Sequence, residues 1–195
     1  MSEKEWVDEI RKLLMSSGCL SSSIYIENLK KLPYALEIIE YDLKFTPKNN
    51  KEFSMSFETD MLIYEHINDT IKPRIVIEAK LSEITTHDAI TYSYKAQHHK
   101  SVTPYLRYGI MLGDRKHHPL PGRLFRHGGN FDFMISFKEL SPSEDEKNVF
   151  VELLHNEINY SKQLEEMFTN SRNKNRKHYF IMQNKLTLTS FDFTT

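Results

Sequence analysis

The chain has 195 residues, of which 39% are hydrophobic and 12% aromatic, and its formal net charge at pH 7 is −1. This length and composition are typical of a single globular domain with a full core, and they exclude a disordered chain. The near-neutral charge excludes a nucleic-acid binder that depends on overall basicity, so any basic surface has to come from local clusters.

The chain lacks the usual signals for export or membrane insertion. It contains no apolar run near 18 residues, and the first twelve residues are charged throughout, unlike a secretory leader. One cysteine, Cys19, excludes an intramolecular disulfide and zinc modules built from several cysteines. We therefore expect a cytoplasmic protein with no membrane partner.

The first predicted element is an amphipathic helix. Ser2 and Glu5 have the S-x-x-E spacing of a capping box, and the helix is expected to present Trp6 and Ile10 on its apolar face and to end at Gly18. A strand is predicted in "YALEIIEYDLKF", where apolar and charged residues alternate, and "TPKNNKE" is predicted to form the turn after it.

Two further strands follow, in "FSMSFETDMLIYE" and "RIVIEAKL", with a second turn in "HINDTIKP" between them. Three successive strands joined by turns predict a meander. In the third strand the side-chain period of two places Glu78 and Lys80 on one face with Val76, whereas Ile77 and Ala79 point to the other face.

The second half of the chain predicts helices and strands in alternation. Thr85 or Thr86 is expected to cap a helix over residues 87–102, and "RYGIMLGD" and "FDFMISF" predict strands. Ser143 and Glu146 repeat the capping-box spacing before a long helix that should end near Asn170, and two short strands are predicted after it. The fold class is therefore α/β (α+β), a central mixed β-sheet flanked by helices within one domain, 1–195.

Three charged residues interrupt the strand pattern. Asp60 lies in the apolar stretch of the second strand, and Glu78 and Lys80 lie in the third. An unpaired buried carboxylate costs several kcal/mol, which a bound cation offsets. Two carboxylates on adjacent strands, about 5 Å apart, can share one Mg²⁺ with a backbone carbonyl and waters. Lys80 is placed to orient a water and to neutralise charge on a phosphate.

The spacing of Asp60 and "EAK" (residues 78–80) resembles the motif of the PD-(D/E)XK nuclease superfamily, the fold of many restriction endonucleases. The resemblance covers residues 1–113, the expected catalytic core, and leaves a C-terminal helix and strands at about 130–195. Thr59 stands where the name-giving proline would be. The resemblance implies that Asp60, Glu78 and the carbonyl of Ala79 bind Mg²⁺, for which Mn²⁺ is expected to substitute, and that Lys80 is the catalytic lysine.

Three additional residues are candidates for the same site. Many members of the superfamily use a glutamate from the first helix as an outer metal contact, for which Glu9 is the first candidate and Glu5 the second; a solvated helix face is the alternative. Glu58 shares a strand face with Asp60 in the predicted alternation. Gln97, in the helix after the motif, is a candidate contact to the scissile phosphate, with an exposed polar face as the alternative.

Two basic segments predict contact with DNA, although each is equally compatible with a solvated surface. The first is the loop at residues 115–127, which combines cations with glycines able to approach a phosphate backbone. The second, "SRNKNRKH", contains the Asn and Arg side chains that recognise adenine and guanine edges. The candidate DNA-binding residues are Arg115, Lys116, Arg123, Arg126, Arg172, Lys174, Arg176 and Lys177.

The sequence thus predicts a metal-dependent endonuclease that hydrolyses DNA phosphodiester bonds, of the type II restriction kind or a similar defence or phage nuclease. Its substrate is expected to be double-stranded DNA, and cutting both strands of a palindrome calls for a homodimer. Two alternatives stay open: a non-catalytic nucleic-acid or protein-binding module on the same fold, and a DNA repair or junction-resolving nuclease.

Overall fold

The structure is a computed structural model that describes residues 1–18, 20–44, 47–116 and 120–169, without the side chains of residues 36–41 and 47–54. Four helices and five strands are found in these ranges. In chain order they are α1 (Glu3–Ser16), β1 (Ile24–Tyr41), β2 (Pro47–Ile67), β3 (Thr70–Leu81), α2 (Thr86–Val102), β4 (Arg107–Gly113), α3 (Gly122–His127), β5 (Phe133–Ser136) and α4 (Glu144–Thr169).

The five strands form one mixed sheet in the order β1-β2-β3-β4-β5. Strands β1, β2 and β3 pair antiparallel, as the predicted meander requires, whereas β3–β4 and β4–β5 are parallel. Parallel neighbours need a crossover connection, which α2 provides between β3 and β4. The predicted fold class, a mixed sheet flanked by helices, is confirmed.

The sheet is buried on both faces, and β3 contributes alternate residues to two cores. Ile75, Ile77 and Ala79 pack in the core formed with α1 and α4. Val76 packs in the other core with Ala89 and further residues of α2. The predicted division of β3 into two faces is confirmed, and Glu78 and Lys80 therefore lie on the side of the sheet that α2 covers.

Side-chain caps begin three of the helices, and the capping-box spacing in the sequence predicts those at α1 and α4. The Ser2–Glu5 and Thr85–Asp88 pairs form capping boxes at α1 and α2. At α4 the backbone N–H of Ser143 donates to the Glu146 carboxylate, and the Glu146 N–H donates to the Ser143 hydroxyl. These reciprocal bonds satisfy backbone donors that the first helical turn leaves without partners.

Two predicted boundaries are wrong. The turn expected in "TPKNNKE" lies earlier, because β2 begins at Pro47 and its residues pair with the end of β1. The register places Glu37 opposite Lys51 and Glu40 opposite Lys48, so residues of the expected turn belong to the strand pair. Residues 122–127, expected in a loop, form the short helix α3.

A third expectation concerned the face of Phe57. The alternation of apolar and polar residues in "FSMSFETDMLIYE" predicts that Phe57 points to the same side as Met61 and Ile63, which pack in the core with α1 and α4. Phe57 instead contacts His99 of α2. From Met61 onward β2 pairs with β3 as well as with β1, whereas before this point it pairs with β1 alone. Such a two-stranded ribbon twists more strongly than a sheet.

The predicted C-terminal strands and Cys19 lie outside the described residues. Within the part of the chain that the structure describes, none of the helices has the length and apolar character needed to cross a membrane.

Candidate active site

The two carboxylates singled out by the sequence lie together on neighbouring strands. Asp60 precedes the Met61–Ile77 pair at which β2 begins to pair with β3, and its Oδ2 accepts a hydrogen bond of 2.8 Å from the backbone N–H of Ala79. This bond fixes the Asp60 carboxylate against β3. The Asp60 carboxyl is also close enough to Glu78 to raise the pKa of Glu78 by its charge and by a side-chain hydrogen bond.

Glu78 is fully buried beneath α2. The Tyr108 hydroxyl of β4 donates to its Oε1 at 2.6 Å, and Lys95 Nζ of α2 lies 3.4 Å from the same atom. Burial raises the pKa of Glu78 to about 7, since it outweighs the opposing effect of Lys95 and is reinforced by Asp60. The carboxylate is therefore poorly neutralised by its protein neighbours alone.

Lys80 lies between the first turns of two helices. Its Nζ is 3.7 Å from Glu3 Oε2 of α1 and 3.7 Å from Asp88 Oδ1 of α2, and it lies over the ring of Tyr92 at 5.7 Å from the centroid. Burial raises the pKa of Asp88, but the bonds from Thr85 and the charge of Lys80 outweigh it, so that the pKa of Asp88 is lowered. Lys80 is thus held in place by carboxylates.

The acid that α1 brings to the site is Glu3 rather than Glu9. Glu3 lies one turn before the buried Trp6 and Val7, so its side chain reaches the end of β3, where Oε2 accepts a 3.4 Å bond from the Leu81 N–H. Burial raises the pKa of Glu3, Lys80 opposes this, and Asp60 adds to it. Close packing of Trp6 on Gly113, where a Cβ would lie 2.6 Å from the indole, holds α1 at this edge.

The other candidates from the sequence point away from the carboxylates. Glu9 is exposed and contacts Lys12 at 3.5 Å, because it lies outside the apolar face of α1, while Glu5 is engaged in the α1 cap. The Glu58 side chain is exposed, and it is the Glu58 carbonyl that accepts a bond from Lys95. Gln97 is exposed on the outer side of α2.

Sequence reasoning missed five residues of this cluster, which are Glu3, Asp88, Tyr92, Lys95 and Tyr108. Asp88 had a usable signal, the T-x-x-D capping spacing after Thr85. The others carry no motif, because their proximity depends on how α1, α2 and β4 pack around β3. Together, the carboxylates of Glu3, Asp60, Glu78 and Asp88 outnumber the two ammonium groups of Lys80 and Lys95, so the cluster favours an added cation.

Asp60 and Glu78 are the paired carboxylates of this cluster that could serve as ligands of a divalent cation. In the described ranges no three His, Cys, Asp or Glu side chains are arranged to hold a metal ion by themselves. Mg²⁺ usually binds through one or two carboxylates and keeps several waters. Asp60 and Glu78 would supply the two carboxylates. The raised pKa of Glu78, caused by burial and by Asp60, fits a carboxylate that a divalent cation would neutralise.

The first basic segment borders the end of β3. A cavity of about 440 Å³ is lined by Arg115 and Arg123 with Glu83, Ile84, Leu120, Pro121 and Gly122. Arg115 donates to the Ser82 carbonyl, and Arg123 Nη1 donates to the Ile84 carbonyl at 2.8 Å, so both guanidinium groups contact the segment that follows Lys80. Lys116 and Arg126 are exposed. Arg172, Lys174, Arg176 and Lys177 lie outside the described residues, as do His117 and His118.

Comparison with known proteins finds no matching family model, no matching curated protein and no matching solved structure. The arrangement of Asp60, Glu78 and Lys80 is thus the starting point for a functional assignment.

Proposed function

We propose that this protein is a metal-dependent nuclease that hydrolyses phosphodiester bonds in DNA, as its resemblance to the PD-(D/E)XK superfamily implies. The observation that carries the proposal is the pairing of the Asp60 and Glu78 carboxylates on adjacent strands, with Lys80 two residues further along the same strand. Strongly perturbed carboxylates next to lysines are typical of catalytic sites.

Asp60 and Glu78 would hold Mg²⁺, and the carbonyl of Ala79 is the proposed third protein ligand. When bound, the metal would lower the pKa of a water and stabilise negative charge on the phosphate. The Ala79 N–H orients Asp60, and the Tyr108 hydroxyl orients Glu78. Lys80, positioned by Glu3 and Asp88, would hold its Nζ towards the attacking water and the phosphate.

DNA would approach over the first basic segment. Arg115 and Arg123 border the end of β3, and exposed Lys116 and Arg126 extend the same segment. Phosphate contacts from such side chains position a DNA backbone without specifying its sequence. In this proposal the second basic segment supplies further contacts, and a homodimer would cut both strands of a duplex.

The proposal is tested by incubating purified protein with plasmid and phage DNA in Mg²⁺, Mn²⁺, Ca²⁺ or EDTA. Cleavage is expected in Mg²⁺ and Mn²⁺, and it should be lost with Asp60→Asn or Glu78→Gln, since each removes a ligand charge. Glu9→Gln is the matched control, because it neutralises an exposed acid away from the cluster. Ca²⁺, with its looser coordination, should support binding without cleavage.

The products separate the alternatives. Discrete bands indicate a restriction-type enzyme, and preferential cutting of four-way junctions over linear duplex indicates a junction-resolving nuclease. Undiminished Mg²⁺-dependent cleavage by either carboxylate variant would contradict the assigned site. DNA binding without cleavage under every metal condition would favour the non-catalytic module.

The contribution of the first basic segment to DNA binding is measured with a separate variant, in which Arg115, Lys116, Arg123 and Arg126 are all replaced by alanine. Each phosphate contact releases counterions, so the variant should bind DNA more weakly and with a shallower salt dependence. An equivalent replacement of Arg172, Lys174, Arg176 and Lys177 compares the second segment. Salt slopes equal to that of the unmodified protein for both variants would place the DNA elsewhere.

A further inference from the structure

Four aromatic rings form a continuous array on the side of the sheet that carries Glu78. The rings of Tyr34 and Phe57 are stacked, with centroids 3.9 Å apart and planes 10° apart. His98 of α2 lies edge-on to Tyr34 at 5.7 Å, and Tyr94, one turn earlier in α2, lies 4.1 Å from His98. We call Tyr34, Phe57, Tyr94 and His98 the aromatic surface.

Part of the aromatic surface is open to solvent. Tyr94 is 53% exposed, and Ile90, one turn earlier in α2, is 50% exposed. Met55, whose sulfur lies 3.7 Å from the Tyr34 hydroxyl, is 55% exposed. Packing of α2 on the β1–β2 ribbon accounts for the Tyr34–Phe57 stack. It does not account for Tyr94, because the buried face of α2 is formed by other residues, namely Ala89, Ser93, Ala96 and His99. Contiguous exposed apolar groups commonly mark a binding surface.

Lys95 connects the aromatic surface to the candidate active site. Its Nζ lies 5.9 Å from the centroid of Phe57, 3.2 Å from the Glu58 carbonyl and 3.4 Å from the Glu78 carboxylate. A nucleotide whose phosphate contacts a metal held by Asp60 and Glu78 would therefore have rings on the neighbouring surface against which its base can pack.

We infer that the aromatic surface stacks an unpaired nucleobase next to the phosphate that is cut. This inference rests on the proposed nuclease function and extends it to the form of the DNA. Bases stack on exposed aromatic rings whatever their sequence, and nearby cations such as Lys95 favour the attached phosphates. In a fully paired duplex the faces of the bases are covered by their neighbours, so the surface binds a base that is in a single strand or turned out of a duplex.

The test measures binding and stacking without cleavage, with the Glu78→Gln protein as the background. Fluorescent 2-aminopurine is placed in a single strand, opposite a mismatch in a duplex, and in a fully paired duplex. Binding should quench the 2-aminopurine fluorescence in the single strand. It should also quench the fluorescence at the mismatch if the base there is turned out of the duplex. Adding Tyr94→Ala should abolish the quenching and weaken binding of the single strand about 5- to 150-fold, as loss of one stacked base does. Tyr94→Phe should retain both the quenching and the affinity.

Tyr25→Ala is the matched control. Tyr25 is 41% exposed, and its ring centroid lies 4.6 Å from that of His66, so it resembles Tyr94 in exposure and in its histidine neighbour. Tyr25 pairs instead with Tyr64 across β1 and β2. This variant should bind all three DNA forms normally.

Single-strand affinity and quenching unaffected by Tyr94→Ala would overturn the inference, as would an equal loss with Tyr25→Ala. If the inference is overturned in this way but the unmodified protein cleaves paired duplex, the nuclease proposal still holds. Failure of both proposals would instead appear as no cleavage of any DNA form and no quenching.

Discussion

Strand β3 carries buried charges at both ends, and the two ends are neutralised in different ways. Arg74, near its start, is only 2% exposed, and Glu78, near its end, is fully buried. Both are flanked by further charged side chains from neighbouring elements. Comparing them shows how a structural network of ion pairs differs from a cluster that has capacity for a ligand.

The carboxylates of the Arg74 network are fully neutralised, because three cations, Lys72, Arg74 and Lys162, contact the two acids Glu65 and Glu165. Arg74 donates two hydrogen bonds to Glu65 Oε2, at 3.0 and 2.8 Å, and one of 2.7 Å to Glu165 of α4. Lys162 contacts Glu65 at 2.7 Å, and Lys72 contacts Glu165. Burial raises the pKa of both carboxyls, but the bonds from Lys162 and Arg74 at Glu65, and from Lys72 and Arg74 at Glu165, outweigh it and lower both pKa values.

The Glu78 cluster is unbalanced. Burial raises the pKa of Glu78 to about 7, and Lys95 reduces this effect without cancelling it, while Asp60 adds to it. Both ends of β3 carry buried charge, so burial of charge does not by itself distinguish the proposed site from an ion-pair network. A carboxylate that its own neighbours leave incompletely neutralised is the better indicator.

The largest expected effect is on stability, when one carboxyl at each end is replaced by its amide at pH 8 in EDTA. Glu65→Gln should lower the free energy of unfolding by about 3 kcal/mol, because Arg74 loses part of its buried counter-charge. Glu78→Gln should instead raise the free energy of unfolding, because it removes a buried charge that its neighbours neutralise poorly. Urea denaturation measures both, and a similar loss in the two variants would erase the distinction between the ends.

The pH dependence of stability should differ in sign between the ends. The folded pKa of Glu78 is raised above its ordinary value of 4.5 to about 7, so the folded state binds more protons between these pH values. Its contribution is fully present below pH 4.5 and is lost as the pH rises through 7, a fall of about 3 kcal/mol at 1.36 kcal/mol per pH unit. Comparing the metal-free protein with Glu78→Gln from pH 5 to pH 8 isolates this slope.

Glu65 and Glu165 should behave in the opposite way. Their lowered folded pKa values mean that their contribution is present above pH 4.5 and is lost as the pH falls through the folded values. The Glu65→Gln variant should therefore keep the slope caused by Glu78. Loss of that slope in Glu65→Gln would show that it has a different origin.

A smaller effect is expected from Mg²⁺. A ligand that binds only the folded state at ten times its dissociation constant stabilises by about 1.4 kcal/mol. The unmodified protein should gain this stability at pH 8, whereas Asp60→Asn and Glu78→Gln should gain little. Thermal unfolding against Mg²⁺ concentration gives the result, and Glu65→Gln, which leaves both proposed ligands in place, should respond as the unmodified protein does.

The smallest effect on stability is expected at Lys162, the exposed member of the Arg74 network. Lys162 contacts buried Glu65, but its own side chain is 42% exposed and remains screened by water. Lys162→Gln should cost less than about 1 kcal/mol in the free energy of unfolding. A loss comparable to that of Glu65→Gln would mean that Lys162, rather than Arg74, is the main counter-charge of Glu65.

Much of the framework was predictable from local patterns. The S-x-x-E spacing identified the start of α1, and the alternation in "RIVIEAKL" placed Glu78 and Val76 on one face of β3. The convergence of Asp60 with Glu78 also followed, because two strands joined by a short turn pair antiparallel and bring nearby positions together. These features depend on interactions between residues close in sequence.

Helix orientation at the site was not predictable in this way. The predicted acids of α1, Glu9 and then Glu5, are not the one that meets β3, because the periodicity of α1 alone does not show which end of the helix lies against the strand. The sequence predicts Gln97 as the site residue of α2, whereas Lys95 contacts Glu78. Two residues separate them, which on a helix is a rotation of about 200°. The packing of α2 on Phe57 and Tyr108 determines that Lys95, rather than Gln97, reaches Glu78.

The sequence by itself therefore determined the order of the elements, the paired carboxylates and the position of Lys80, since these follow from strand period and turn length. Only the tertiary structure decided that Glu3, Asp88, Lys95 and Tyr108 join them, and that Arg74 is satisfied by Glu65 and Glu165. The physical reason is that the charge state of a buried group depends on every neighbour within a few ångströms. For Glu78 and Arg74 those neighbours come from strands and helices far apart in the chain.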